Sequence, residues 1–91
     1  MLLPDEVIPA VFPREIAPAL RPGSAIAFAS GYSLAFDLIH PPGSVDVLLV
    51  APRMAGISAR ARYLAGEGFW GCVGVEADRS GRAQQRMLGL A

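Results

Sequence analysis

Apolar residues along this chain occur in two textures. One is the short unbroken run; the other is the set spaced three or four apart. Val45 to Ala51 is the longest run, broken only by Asp46 and closed by Pro52. That pattern predicts a strand buried on both faces, of the kind found in parallel sheets. Ala25 to Ala29, stopped by Ser30-Gly31, and Phe69 to Val75, interrupted by Gly71 and Gly74, predict two more strands. The opening Met1 to Leu3 reads as the last residues of a strand whose beginning is missing.

The spaced sets fall between these runs. Val7, Ile8, Val11, Phe12, Ile16 and Leu20 recur at helical intervals, with Asp5 as a candidate cap. Pro9, Pro13 and Pro18 interrupt the same stretch, and Pro13 must delete a ladder bond, so the expectation is a kinked or broken helix over 5–20. Leu34, Ala35, Leu38 and Ile39 predict a short helix over 32–39, stopped by Pro41-Pro42-Gly43. Ile57, Ala61 and Leu64 mark the inner face of a further helix, and Gly66 to Gly68 supplies its exit. Ser80 is expected to cap a last helix that turns Ala83, Met87, Leu90 and Ala91 inward. The alternation implies an α/β fold: about three parallel strands with right-handed crossovers and helices on both faces, a partial doubly wound, Rossmann-like three-layer sandwich. Ligands of such sheets sit beyond the carboxyl ends of the strands, which places any site near the turn at Arg53.

Composition narrows the classes of function. At 91 residues the chain is one small domain or part of a larger one, and 53% hydrophobic residues argue for a folded core. Eight basic and eight acidic residues cancel, which argues against recruitment of nucleic acid or an anionic membrane surface. Cys72 is the only cysteine, so no intrachain disulfide forms, and a cytoplasmic setting is expected. Cys72 itself reads as a small buried apolar group, His40 as an exposed loop residue, and Trp70 and Tyr63 as core or rim anchors. Arg53, Arg60 and Arg62 read as a solvated face rather than an anion cluster.

Four segments, in one order, carry a resemblance. They are Leu2-Leu3-Pro4-Asp5-Glu6; Ile26-Ala27-Phe28-Ala29-Ser30-Gly31 with Pro41-Pro42; Val45-Asp46-Val47 through Ala51-Pro52-Arg53 to Gly56; and Asp78 with Ser80-Gly81 and Ala83. Read without gaps from Leu2 to Ala91, the chain resembles the N-terminal NADPH-binding domain of ketol-acid reductoisomerase, also called acetohydroxy-acid isomeroreductase. The resemblance implies that residues 1–91 are the C-terminal half of a Rossmann-type NADP-binding domain. It also implies an oxidoreductase of branched-chain amino-acid biosynthesis, on the route to isoleucine and valine, that couples a magnesium-dependent alkyl shift to hydride reduction by NADPH.

Residue by residue, the resemblance sets Asp5, Glu6, Val7, Ile8 and Gly56 against the cofactor. It implies the catalytic positions at Ser30, where the family has an active-site histidine, and at Arg53, where it has a lysine near the reacting centre. Both departures matter, because serine does not titrate near neutrality and arginine is too basic to move protons, although it still places a positive charge. Met54-Ala55 replaces a glycine-proline pair. The family's glycine-rich dinucleotide turn precedes Met1, and its magnesium carboxylates follow Ala91, so this chain is expected to carry no metal ligands and to be inactive alone. The competing expectation is a non-catalytic α/β module that dimerises through the edge of Ala25 to Ala29, or docks on a partner such as the missing remainder of the enzyme.

Overall fold

A computed structural model describes residues 1–91, and all three strands sit in one sheet in the order β1 (Ala25–Phe28), β2 (Asp46–Pro52) and β3 (Gly71–Ala77). The α/β class and the central position of β2 are as the hydrophobic runs require. β1 lies parallel to β2, pairing Ala25 with Asp46 and Phe28 with Leu49. The third strand corrects the expectation of a wholly parallel sheet. β3 runs antiparallel to β2, from Pro52 opposite Gly71 to Val47 opposite Ala77, with a register shift between Val47 and Leu48.

The direction of β3 accounts for a second departure. A parallel crossover carries its helix back across a sheet face, whereas an antiparallel connection leaves and re-enters at the same end. Helix α3 (Gly56–Leu64), which joins β2 to β3, therefore hangs from the carboxyl end of β2, and the Arg53 amide closes its neck by donating to the Trp70 carbonyl at 2.9 Å. None of its residues is buried, so Ile57 and Leu64 do not form the inner face that their spacing suggests. α3 is the element whose helical period is real and whose packing is absent.

Before β1, the prolines break the helix as expected. A single α-turn, α1 (Ile8–Val11), passes into a π-turn over Phe12–Ile16 and a 3-10 turn over Ala17–Ala19. With no N–H at Pro13 or Pro18, the regular ladder cannot continue, and the Ala17 amide reaches back to the Phe12 carbonyl. Asp5 does not cap α1: no side chain bonds that terminus. The segment still presents Ile8 and Phe12 to one face of the sheet, where they bury with Ile26, Phe28, Ile39, Val45 and Val47.

The next helix, α2, is shorter than its pattern, Tyr32–Ala35, because Asp37 turns left-handed at φ 57° and ends it. Tyr32 and Phe36 pack their rings at 4.8 Å on its exposed side. On the opposite sheet face, α4 (Ala83–Leu90) packs through Ala83 and Met87 onto Leu48. Leu90, expected inside, is exposed. The two faces of β2 are thus both covered, unequally: seven buried residues on one side and three on the other.

Candidate functional site

Asp46 is the most heavily bonded side chain in the fold. It lies at the start of β2, fully buried, and is the one acid within the central apolar run. Its Oδ1 accepts the Arg79 and Ser80 amides at 2.7 and 2.9 Å; its Oδ2 accepts the Ser80 hydroxyl at 2.6 Å and Arg86 Nη1 at 3.0 Å. The Ser80 hydroxyl is the chief reason that its carboxyl sits below the ordinary value, and the two amides and the Arg86 guanidinium add to this against burial, which works the other way. Arg86 also donates to the Gly23 carbonyl, so one carboxylate ties the amino end of β2 to α4 and to the turn before β1. This is a structural clamp at the amino end of β2, opposite the carboxyl end at which open α/β sheets receive their ligands. Sequence reasoning noted Asp46 only as an interruption; a lone acid inside a buried strand demands several donors, and that was the available signal.

Ser80, expected as the cap of α4, serves the Asp46 clamp and accepts the Arg82 amide at 3.0 Å. Asp78 does the capping: its Oδ1 takes the amides of Gly81 at 2.8 Å and Ala83 at 3.3 Å.

At the carboxyl end of β1, Ser30 meets the N-terminal turn. Its hydroxyl donates to Asp5 Oδ2 at 3.3 Å, and the two residues share a cleft of about 290 Å³ with Pro4, Ile8, Phe28 and Ala29. The amino group of Met1 reaches the Ala27 carbonyl and holds this turn against β1. The structure therefore joins two residues 25 positions apart that the sequence reading had placed in one site. Glu6 and Val7 are exposed beside them, whereas the Ile8 side chain belongs to the core. Its backbone is engaged as well: the amide donates to the Pro4 carbonyl at 3.3 Å, and the carbonyl accepts the Phe12 amide.

Arg53 lies beyond the carboxyl end of β2 and lines a different, open cleft of about 660 Å³ with Met54, Arg62, Phe69 and Trp70. Gly56 begins α3, and a β-carbon there would meet nothing within 4 Å, so its backbone can be approached closely. Packing within this chain does not require a glycine there. Arg60 leaves the cluster and stands over the Tyr63 ring at 5.4 Å, while Arg62 faces Glu67 at 3.7 Å, both exposed. His40 is exposed near Asp37 at 3.6 Å. Cys72 is exposed rather than buried, because it lies on the sheet face of β3 that no helix covers, and Trp70 is 85% exposed. No three His, Cys, Asp or Glu side chains gather as a metal site would need.

Comparisons with known proteins bear on the chain as a whole. The family model described as "Acetohydroxy acid isomeroreductase, NADPH-binding domain" matches residues 1–91. Over 91 residues the chain is 44% identical to a ketol-acid reductoisomerase (NADP(+)) of Caldivirga maquilingensis, covering all of this chain and 28% of that protein. It is 42% identical over 90 residues to a ketol-acid reductoisomerase (NAD(+)) of an uncultured archaeon, covering 27% of that protein. A solved NADH-preferring ketol-acid reductoisomerase from an uncultured archaeon superposes with a TM-score of 0.95 at 43% identity, over 98% of this chain and 27% of that one. The chain thus spans a little over a quarter of the length of the relatives it matches. With a family model matched from end to end and the same fold in a solved relative, the chain belongs to the acetohydroxy acid isomeroreductase family, in its NADPH-binding domain.

Proposed function

We propose that this chain forms one wall of the nicotinamide-dinucleotide crevice of a ketol-acid reductoisomerase and is inactive by itself. The Asp5–Ser30 contact at the carboxyl end of β1 carries the reading, because it builds a polar ledge where an open α/β sheet receives its ligand. The turn of Asp5, Glu6, Val7 and Ile8 and the uncrowded backbone at Gly56 contact the cofactor from this side. A cleft of about 290 Å³ accepts only part of a dinucleotide, which fits a half-site. When bound, the cofactor supplies a hydride. This chain's residues orient it: Ser30, held by Asp5, offers a hydroxyl, and Arg53 offers a fixed positive charge to an anionic group. Neither residue transfers protons near neutrality, so the reductive step depends on groups outside residues 1–91.

Isothermal titration with NADPH and with NADH tests this. No saturable heat is expected from the chain alone, and NADPH-dependent turnover of an acetohydroxy acid is expected only after addition of the rest of a related enzyme with magnesium. Micromolar binding by the chain alone refutes the half-site.

A second reading, an assembly module without catalysis, draws support from Ile57, Leu64 and Trp70, all strongly exposed on the α3 side. Binding of the complementary portion without any recovered turnover would favour it.

A further inference from the structure

The two irregularities of the backbone meet at one cavity. Asp37 is the one non-glycine residue with positive φ, at 57°, and the one register shift of the sheet falls between Val47 and Leu48. Leu48 pairs with Val75 and Val47 with Ala77, so Glu76 is the extra residue of a β-bulge, a device that re-aims the side chain it carries. Asp37 and Glu76 both line a cavity of about 270 Å³ at the amino end of β2. Left-handed non-glycine residues and bulges gather at ligand sites, where the surrounding structure holds them in place. The walls of this cavity differ in chemistry. Buried Ile39 and Val47, with half-buried Leu34, Pro41 and Pro42, form an apolar floor. Glu76 and Arg79 stand on its rim with opposite charges. Neither belongs to an ion pair: the three of this fold join His40 to Asp37, Arg62 to Glu67 and Arg86 to Asp46. The Arg79 amide is fixed on Asp46 at 2.7 Å, so the clamp tethers this guanidinium to the rim.

We propose that this cavity binds a free α-amino acid with an aliphatic side chain. Glu76 takes the ammonium, Arg79 takes the carboxylate, and Leu34, Pro41 and Pro42 cover the hydrocarbon. A volume just below the range of drug-sized sites suits so small a ligand. A compound with one charge leaves the other rim group unanswered, and a polar side chain loses its hydrogen bonds on the apolar floor. His40 already faces Asp37 at 3.6 Å, which leaves Glu76 as the acceptor for the ammonium. The cavity lies at the opposite end of β2 from Ser30 and Arg53, so the proposal does not rest on the nucleotide reading.

Amide NMR of the 91-residue chain titrated with L-leucine reads the proposal. Saturable shifts of millimolar affinity are expected at Leu34, Ile39, Val47 and Ala77. Isoamylamine, which lacks the carboxylate, and isocaproate, which lacks the ammonium, should each bind about tenfold more weakly for want of one charge-assisted contact. Glu76→Gln should weaken L-leucine and isoamylamine about tenfold and leave isocaproate unchanged. Arg79→Met keeps the backbone bond to Asp46 and should weaken L-leucine and isocaproate while sparing isoamylamine, with amides remote from the cavity unshifted in both variants. No saturable shift with L-leucine, shifts away from the cavity, or equal binding of all three compounds overturns the proposal. So do substitutions that fail to separate the amine from the acid. None of these outcomes depends on nucleotide binding.

Discussion

Leu48→Ala is the substitution that best tests how the smaller face of the sheet is held. Leu48 is 1% exposed and forms, with Ala83 and Met87, the entire buried contact between β2 and α4. Truncation removes three carbon groups, about 2.4 kcal/mol of transfer free energy at about 0.8 kcal/mol each. The cavity left behind adds to this, but Met87 is unbranched and adjacent and can partly refill it, which keeps the total near the lower half of the usual range, about 2.5–3.5 kcal/mol. With only 12 of 91 residues buried, the total stability belongs at the low end for a domain, about 5 kcal/mol. The variant should therefore lose roughly half or more of its stability and melt about 10–25 °C lower. Urea titration followed by far-ultraviolet circular dichroism measures this; tryptophan emission does not, because Trp70 is already solvated. A loss under about 1 kcal/mol would show that α4 is not held by this cluster and would refute the two-faced core.

Four further outcomes follow. Asp46→Asn places an amide donor beside Arg86 and Ser80 and should destabilise the fold strongly at neutral pH. Because the folded-state pKa of Asp46 is lowered, its contribution is complete above the ordinary carboxylate value and is lost as pH falls through the lowered one. The gap between wild type and Asp46→Asn should thus narrow in urea titrations below about pH 4; a gap constant with pH would contradict the clamp. Phe28→Ala, in the larger cluster, should cost about 3–5 kcal/mol and leave little folded protein by circular dichroism. Ser30→Ala removes a 3.3 Å contact that is only half-buried, and the stability read from thermal melting should fall by no more than about 1 kcal/mol. Cys72 should react fully with a thiol reagent without denaturant, and protection until unfolding would mean that its strand face is covered.

The positions of the elements were legible because turn chemistry and apolar spacing act locally. Pro13 broke its helix, Ser30-Gly31 ended β1, and β2 occupies almost the stretch that its apolar run marks. The Ser30–Asp5 hydrogen bond was not legible: the resemblance set Asp5 against the cofactor and Ser30 at an active-site position, and nothing in the spacing of two residues 25 apart brings them together. Strand polarity left no local trace: Gly71 to Ala77 alternates identically in either direction. Cys72 was misread for a related reason. Its strand is an edge with one uncovered face, and a short apolar run does not say how many faces are buried.

Two of these departures have one cause. Had β3 run parallel, its connection would have travelled the length of the sheet, and Ile57, Ala61 and Leu64 would have faced β2 across a buried layer. Because β3 starts where β2 stops, the connection has nowhere to go but outward, and the Arg53 to Trp70 bond pins both its ends at the carboxyl edge. α3, Gly56 and the open cleft of Arg53 and Trp70 therefore overhang the same end of the sheet that holds Ser30 and Asp5. A helix that buries none of its residues thus stands at the end of the sheet where open α/β folds receive ligands, with its apolar positions turned to solvent.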